Sequence, residues 1–143
     1  MYEYNEIDDF IKYISSKIKG LYFVGSYARK EPVINDLDIV TMRNIDDIIN
    51  DFKNIYPNLK IKKQGEKYSR IKISKLFIDI WKANDKEELK SLKVVRSLDL
   101  GHNIAYRKIA GKLGMNLNDY GLFKGDKRLS FKSENELRKH LLL

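Results

Sequence analysis

Apolar residues recur near the start of the chain at Ile7, Phe10, Ile11, Ile14 and Ile18, the spacing of one helical face, and Gly20 supplies a stop. A helix is therefore predicted from about Glu6 to Lys19. Leu21–Val24 and Leu37–Thr41 read as strands. Ile45, Ile48, Ile49 and Phe52 mark a second helix over Ile45–Asn54, with Asn44 as its cap and Pro57 beyond its end. Leu59–Lys63 and Tyr68–Ile73 read as a hairpin around Gln64-Gly65-Glu66-Lys67, followed by a strand over Lys75–Trp81. A helix over Asp85–Val95, with Asn84 as cap and Glu87 in its first turn, opens a second region. Another helix runs from His102 to Leu113 and stops at Gly114. Leu122-Phe123 then pairs with Arg128-Leu129 across Lys124-Gly125-Asp126-Lys127, and Ser133 with Glu136 begins a terminal helix. The alternation of these elements predicts an α+β chain divided into residues 1–84 and 85–143, with no repeat, low-complexity tract or flexible linker.

Polar residues inside the strand patterns carry the chemistry. A strand repeats its side-chain direction every second residue, so Asp36 and Asp38 share a face while Leu37 and Ile39 take the other. In Leu76-Phe77-Ile78-Asp79-Ile80-Trp81 the same alternation separates Ile78 and Ile80 from Asp79. If the two strands are neighbours, three carboxylates meet. An oxygen-only set of that kind suits a hard octahedral dication, Mg2+ first, with substrate phosphate oxygens completing its shell. An Asp-x-Asp alone is ordinarily a turn or a solvated strand edge. Here it follows Gly25-Ser26, where glycine allows close backbone approach, amides and a hydroxyl form an anion nest, and Arg29 adds a planar cation.

Composition agrees with that chemistry. The chain has 143 residues, 43% of them hydrophobic, and no cysteine, which excludes disulfides and thiolate metal sites. Its first residues hold neither a basic leader nor a long apolar run, so a soluble, intracellular protein without a membrane role is expected. Net charge is +8: residues 1–85 hold 15 Lys+Arg against 13 Asp+Glu, and 86–143 hold 13 against 7. A basic excess favours a polyanionic partner, although lysine-rich surfaces also occur without one. Lys108, Lys112, Lys124, Lys127 and Arg128 are the candidate phosphate contacts. On the helix from His102, Asn103 and Arg107 lie one turn apart on one face, with Ile104, Ile109 and Leu113 expected inward. An ordinary amphipathic surface helix would look the same. His102 and His140 read as exposed helix-end residues, and Tyr120 and Phe123 as packing aromatics.

Gly25-Ser26, Arg29, Asp36-Leu37-Asp38 and Asp79 resemble the palm of the nucleotidyltransferase superfamily. The stretch from Gly101-His102-Asn103 through Tyr106-Arg107 to Ala110, continuing through Leu117 to Phe123, resembles the C-terminal subdomain of family X DNA polymerases. That resemblance implies a nucleotidyltransferase-type palm with a mixed or antiparallel sheet, followed by a small α+β subdomain that binds the nascent base pair and template. It implies template-directed, gap-filling repair synthesis: dNTPs are added to a primer 3′ hydroxyl with release of pyrophosphate. Catalytic Asp36, Asp38 and Asp79 would ligate two Mg2+ ions, for which Mn2+ substitutes, with Asp79 on the ion at the hydroxyl. Gly25, Ser26 and Arg29 would hold the nucleotide's phosphates, Asn103 would approach its base, and Arg107 the template strand from the minor groove. Primer–template or gapped DNA and a dNTP are the implied partners of a monomer.

Several positions depart from the family. Ala28 stands where a second basic residue is common, Val95-Arg96-Ser97-Leu98 where an aromatic pair and Thr-Gly are common, and Phe77 and Trp81 where arginine is frequent. A lyase domain is not expected, so the chain resembles the very short viral members, acting in the cytoplasm of a cell or encoded by a virus or phage in its host. A template-independent nucleotidyltransferase acting on a protein, an RNA end or a small molecule is the alternative. A DNA-binding module without catalysis is a third reading.

Overall fold

The structure is a computed structural model that describes residues 1–143, which form two compact units, Met1–Ala83 and Asn84–Leu143. The first contains β1 (Tyr2–Glu3), α1 (Tyr4–Lys17), β2 (Tyr22–Val24), β3 (Val33–Ile34), β4 (Asp36–Thr41), α2 (Ile45–Ile55), β5 (Lys60–Lys63), β6 (Tyr68–Ile73) and β7 (Leu76–Lys82). Five strands form one sheet in the order β2-β4-β7-β6-β5, and β1 pairs separately with β3. Within the large sheet β4 and β7 run parallel, whereas the other neighbours are antiparallel. The parallel pair is what brings the two aspartate-bearing strands side by side.

The apolar alternation decides which face is covered. Leu37 and Ile39 of β4, Ile71 of β6, and Ile78 and Ile80 of β7 are fully buried with Ile7 and Ile14 of α1 and Ile45, Ile48, Ile49 and Phe52 of α2. Each such side chain contributes roughly 1.5–3 kcal/mol relative to exposure, so the helical layer fixes the register of the sheet. The opposite face is left for polar groups. α1 starts at Tyr4, two residues earlier than expected, because Glu3 and Glu6 form a reciprocal capping box. It ends at Lys17, and Ile18 enters the core in an extended conformation.

The second unit contains α3 (Lys86–Val95), α4 (Leu100–Lys112), β8 (Asn116–Asn118), β9 (Gly121–Lys124), β10 (Lys127–Arg128) and α5 (Glu134–His140), with the strands in the order β10-β9-β8. Asp85, not Asn84, caps α3, its carboxylate accepting from the Glu88 amide at 2.8 Å. Asp99 caps α4 in the same way, which moves its start from His102 to Leu100. The inward face of α4 holds Ile109 and Leu113, as expected, but not Ile104. Tyr106 and Ala110 are buried and share one helical stripe with Ile109 and Leu113 against the core of Val95, Leu98, Leu117, Leu122, Phe131, Leu137 and Leu141, whereas Ile104 lies off that stripe and is exposed. No helix of the chain is long and apolar enough to cross a membrane.

Candidate active site

Residues paired across a sheet point to the same face, so strand register gives the site as a grid. Val24, Asp38, Asp79, Arg70 and Lys63 form one row across β2, β4, β7, β6 and β5. Asp36, Phe77, Lys72 and Lys60 form the adjacent row. The sheet thus brings all three predicted aspartates to one face, with Asp38 and Asp79 directly opposed.

Burial of a carboxylate requires compensation. The Asp79 side chain is only 8% exposed, and Arg70 Nη1 donates to its Oδ2 and Oδ1 at 2.7 and 2.9 Å. The Tyr68 hydroxyl donates to the same carboxylate. Arg70 also reaches Asp36 Oδ2 at 3.4 Å, and its guanidinium lies 4.2 Å from the centre of the Phe77 ring. Burial works against the Arg70 charge, but the bonds to Asp79, with help from Tyr68 and Asp36, hold its pKa above the ordinary arginine value. For Tyr68, burial and then the bond to Asp79 push the phenol pKa up. Arg70 and Tyr68 were not singled out from the sequence. Their signal was there: Tyr68, Arg70 and Lys72 alternate along the strand that pairs with the Asp79 strand.

A chain turn brings the glycine corner to the same place. Gly25 has φ +70°, and a Cβ there would collide with the Asp38 carboxylate, whose Cγ would be only 2.9 Å away. Asp38 therefore occupies the space that the missing side chain leaves. Ser26 follows, half-buried. Beyond it, the amides of Arg29, Lys30 and Glu31 bond to carbonyls of Gly25, Tyr27 and Ser26, so these three are engaged within the loop. Arg29 pairs with Glu31 at 2.8 Å on the rim.

Three carboxylates against one guanidinium leave two negative charges in excess among Asp36, Asp38, Asp79 and Arg70, and every donor atom of the acids is oxygen. This set fits a hard divalent cation in chemistry. In geometry Arg70 bridges Asp36 and Asp79, and no three Asp, Glu, His or Cys side chains are gathered into a metal-holding cluster.

In the second unit, Arg107 Nε donates to Asn103 Oδ1 at 2.6 Å, and Asn103 Nδ2 donates to the Val95 carbonyl at 3.2 Å. Asp119 anchors both Arg107, at 3.0 Å, and Arg96, at 2.5 Å. Asn103 and Arg107 are thus a preformed pair on α4, braced by an acid that follows β8. Lys108 and Lys112 are exposed one turn apart, and Lys124 and Lys127 face each other, exposed, across the β9–β10 hairpin. Arg128 instead turns inward: it stacks over Phe123 at 4.7 Å and donates to the Tyr120 carbonyl at 2.6 Å.

A parallel β4–β7 pair bearing opposed acids, with helices behind it, is the centre of the first unit. Comparison with known proteins sets this arrangement beside known folds. Residues 99–143 match the family model described as the DNA polymerase beta thumb. The crystal structure of Leishmania infantum polymerase beta in a ternary P/T complex superposes with a TM-score of 0.80 at 18% identity, over 99% of this chain and 73% of that one. For its ternary gap complex the TM-score is 0.82 at 17% identity, over 99% of this chain and 67% of that one. No curated protein sequence matches the chain. The α+β fold is that of polymerase beta, and the resemblance to the family X polymerases read from the sequence is borne out by this fold and by the C-terminal match.

Proposed function

We propose that the chain is a template-directed DNA polymerase of the family X type, using primer–template or gapped DNA and a dNTP. The observation that carries this reading is the placement of Asp36, Asp38 and Asp79 on one face of adjacent parallel strands, beside the Gly25–Ser26 corner, in a polymerase-beta-like fold. Those three acids would hold two Mg2+ ions, or Mn2+ in their place. When bound, the ions would neutralise the phosphoryl oxygens and lower the pKa of the primer hydroxyl. The 3′ oxygen forms a bond to the α-phosphorus, the bond from that phosphorus to the β-phosphate bridge breaks, pyrophosphate leaves, and the hydroxyl proton passes to solvent. Asp79 must give up Arg70 to serve there, and Arg29 must exchange Glu31 for a phosphate. The Ser26 hydroxyl adds a donor to the triphosphate. Asn103 and Arg107 would meet minor-groove acceptors common to all correct pairs, testing pair geometry without reading sequence.

Primer extension with Mg2+, each dNTP offered singly opposite each template base, tests this reading. Addition of the complementary nucleotide, abolished by a chelator, is expected. Equal addition of all four would favour the template-independent alternative, and DNA binding with no addition a non-catalytic module. Asp79→Ala is expected to abolish extension while metal–nucleotide binding, followed by titration of a fluorescent dNTP, is largely kept by Asp36 and Asp38. A parallel loss of nucleotide binding would show that the role given to Asp79 is wrong.

A further inference from the structure

The acidic face does not end at the carboxylates. Residues 1–85 are nearly balanced at 15 Lys+Arg against 13 Asp+Glu, but residues 52–78 alone hold eight against one, Glu66. The near-neutral sum therefore conceals a charge gradient across the sheet. From its acid centre on β4 and β7, the polar face passes through Arg70 and Lys72 on β6 to Lys63 and Lys60 on the open edge, β5.

The cations on this face are ordered by the fold. Lys60 opposes Lys72 and Lys63 opposes Arg70, because an irregularity between Ile61 and Lys63 restores the lysine to the polar face. Aromatic rings lie among them. Lys72 Nζ is 5.0 Å from the Phe77 centroid, on a ring that Arg70 also covers, and Lys63 Nζ is 5.6 Å from the Tyr68 centroid. Tyr68 in turn contacts Trp81 at 5.2 Å. None of Lys60, Lys63 and Lys72 forms an ion pair with a carboxylate. Lysines on an edge strand commonly prevent edge-to-edge association. That purpose explains cations on β5, but not their continuation on the inner strand β6 or their alignment with the acids of β7.

We propose that Lys60, Lys63 and Lys72 form a phosphate track for a nucleic acid strand whose 3′ end lies at Asp79. This rests on the polymerase reading for the direction of the strand. Neighbouring strands lie about 4.8 Å apart, so the edge lysines stand roughly 10 Å from the Asp79 strand, within reach of the first few phosphates behind a terminal nucleotide. The interleaved rings distinguish a nucleic acid from an anionic lipid surface, since they offer faces to sugars and unpaired bases beside the cations. The track lies wholly in the first unit and adds to the lysines of the second.

The test measures affinity of the full chain for a fluorescein-labelled primer–template duplex in EDTA, against salt concentration. For K60Q/K63Q/K72Q, the slope of log affinity against log salt is expected to fall by about one unit per lysine relative to wild type. The control K12Q/K17Q/K19Q, which removes equal charge from the same unit, is expected to leave the slope nearly unchanged. Circular dichroism checks folding, and if the triple variant unfolds, K60Q and K63Q singly are read for one unit each. An unchanged slope, an equal fall in the control, or lysine-dependent binding to phosphatidylserine vesicles with unaltered DNA binding would overturn the track. Wild-type protein that extends no primer yet shows the lysine-dependent slope would sink the polymerase reading and leave the track standing. Extension with an unmoved slope would do the reverse.

Discussion

Arg70 is the residue on which the site turns. It satisfies both oxygens of a carboxylate that is almost wholly buried and reaches a second acid at 3.4 Å. In Arg70→Gln, Asp79 keeps the Tyr68 hydroxyl but loses its charged partner, a loss of about 1–3 kcal/mol for a charge-assisted contact at this partial exposure. Thermal unfolding should show the drop, and millimolar Mg2+ should raise the midpoint of the variant more than that of wild type, because the ion no longer competes with a guanidinium. An identical Mg2+ response in both proteins would contradict the competition. The three aspartates were legible in the sequence because each interrupts an apolar alternation. Arg70 was not, because a basic residue in a hairpin looks like any solvated lysine or arginine until the register places it opposite Asp79.

At the scale of elements, the β2 end and the β4 start form one corner around Gly25. Its positive φ and the absent Cβ serve the same purpose, which is to let Asp38 stand against the backbone. Gly25→Ala should cost about 1–3 kcal/mol from backbone strain alone and displace Asp38. Extension should therefore fall much further than the lowered midpoint explains, and unchanged activity in a folded variant would show that the corner does not position the acid. Helices α1 and α2, the β5–β6 hairpin and β7 follow from periodicity within one or two residues. The strands β1, β3 and β8 have two or three residues each, too few for alternation to register. On α4 the inward positions of Ile109 and Leu113 follow from the sequence, whereas Ile104, five residues before Ile109, falls off the stripe that Tyr106 and Ala110 complete. Charge alone marks Arg128 as a phosphate contact, and the fold adds its stacking on Phe123.

Across the whole molecule, polar groups of buried aromatics link stability to pH. Burial raises the phenol pKa of Tyr27, Tyr56, Tyr68, Tyr106 and Tyr120, reinforced at Tyr27 by its bond to Asp8 and at Tyr106 by Glu134. Each phenol stays protonated in the folded chain at a pH where the unfolded chain has lost that proton. Their contribution is thus complete below the ordinary value near 10 and is lost as pH rises from there through the raised values of the folded chain. Denaturant midpoints should be level below about pH 9 and fall above about 10, and Tyr68→Phe should flatten part of that fall. A midpoint that climbs through this range would contradict the assignment. Charge at this scale was only half legible: the total of +8 pointed to a polyanion, while its arrangement into an acid centre and a basic edge needed the strand order. The most direct test of the site is the anomalous scattering of Mn2+ in crystals of the full chain with gapped DNA and a non-hydrolysable dNTP. Peaks about 2 Å from oxygens of Asp36, Asp38 and Asp79 are expected, with Arg70 withdrawn from Asp79. Peaks bound elsewhere, with the Arg70–Asp79 pair intact, would contradict it.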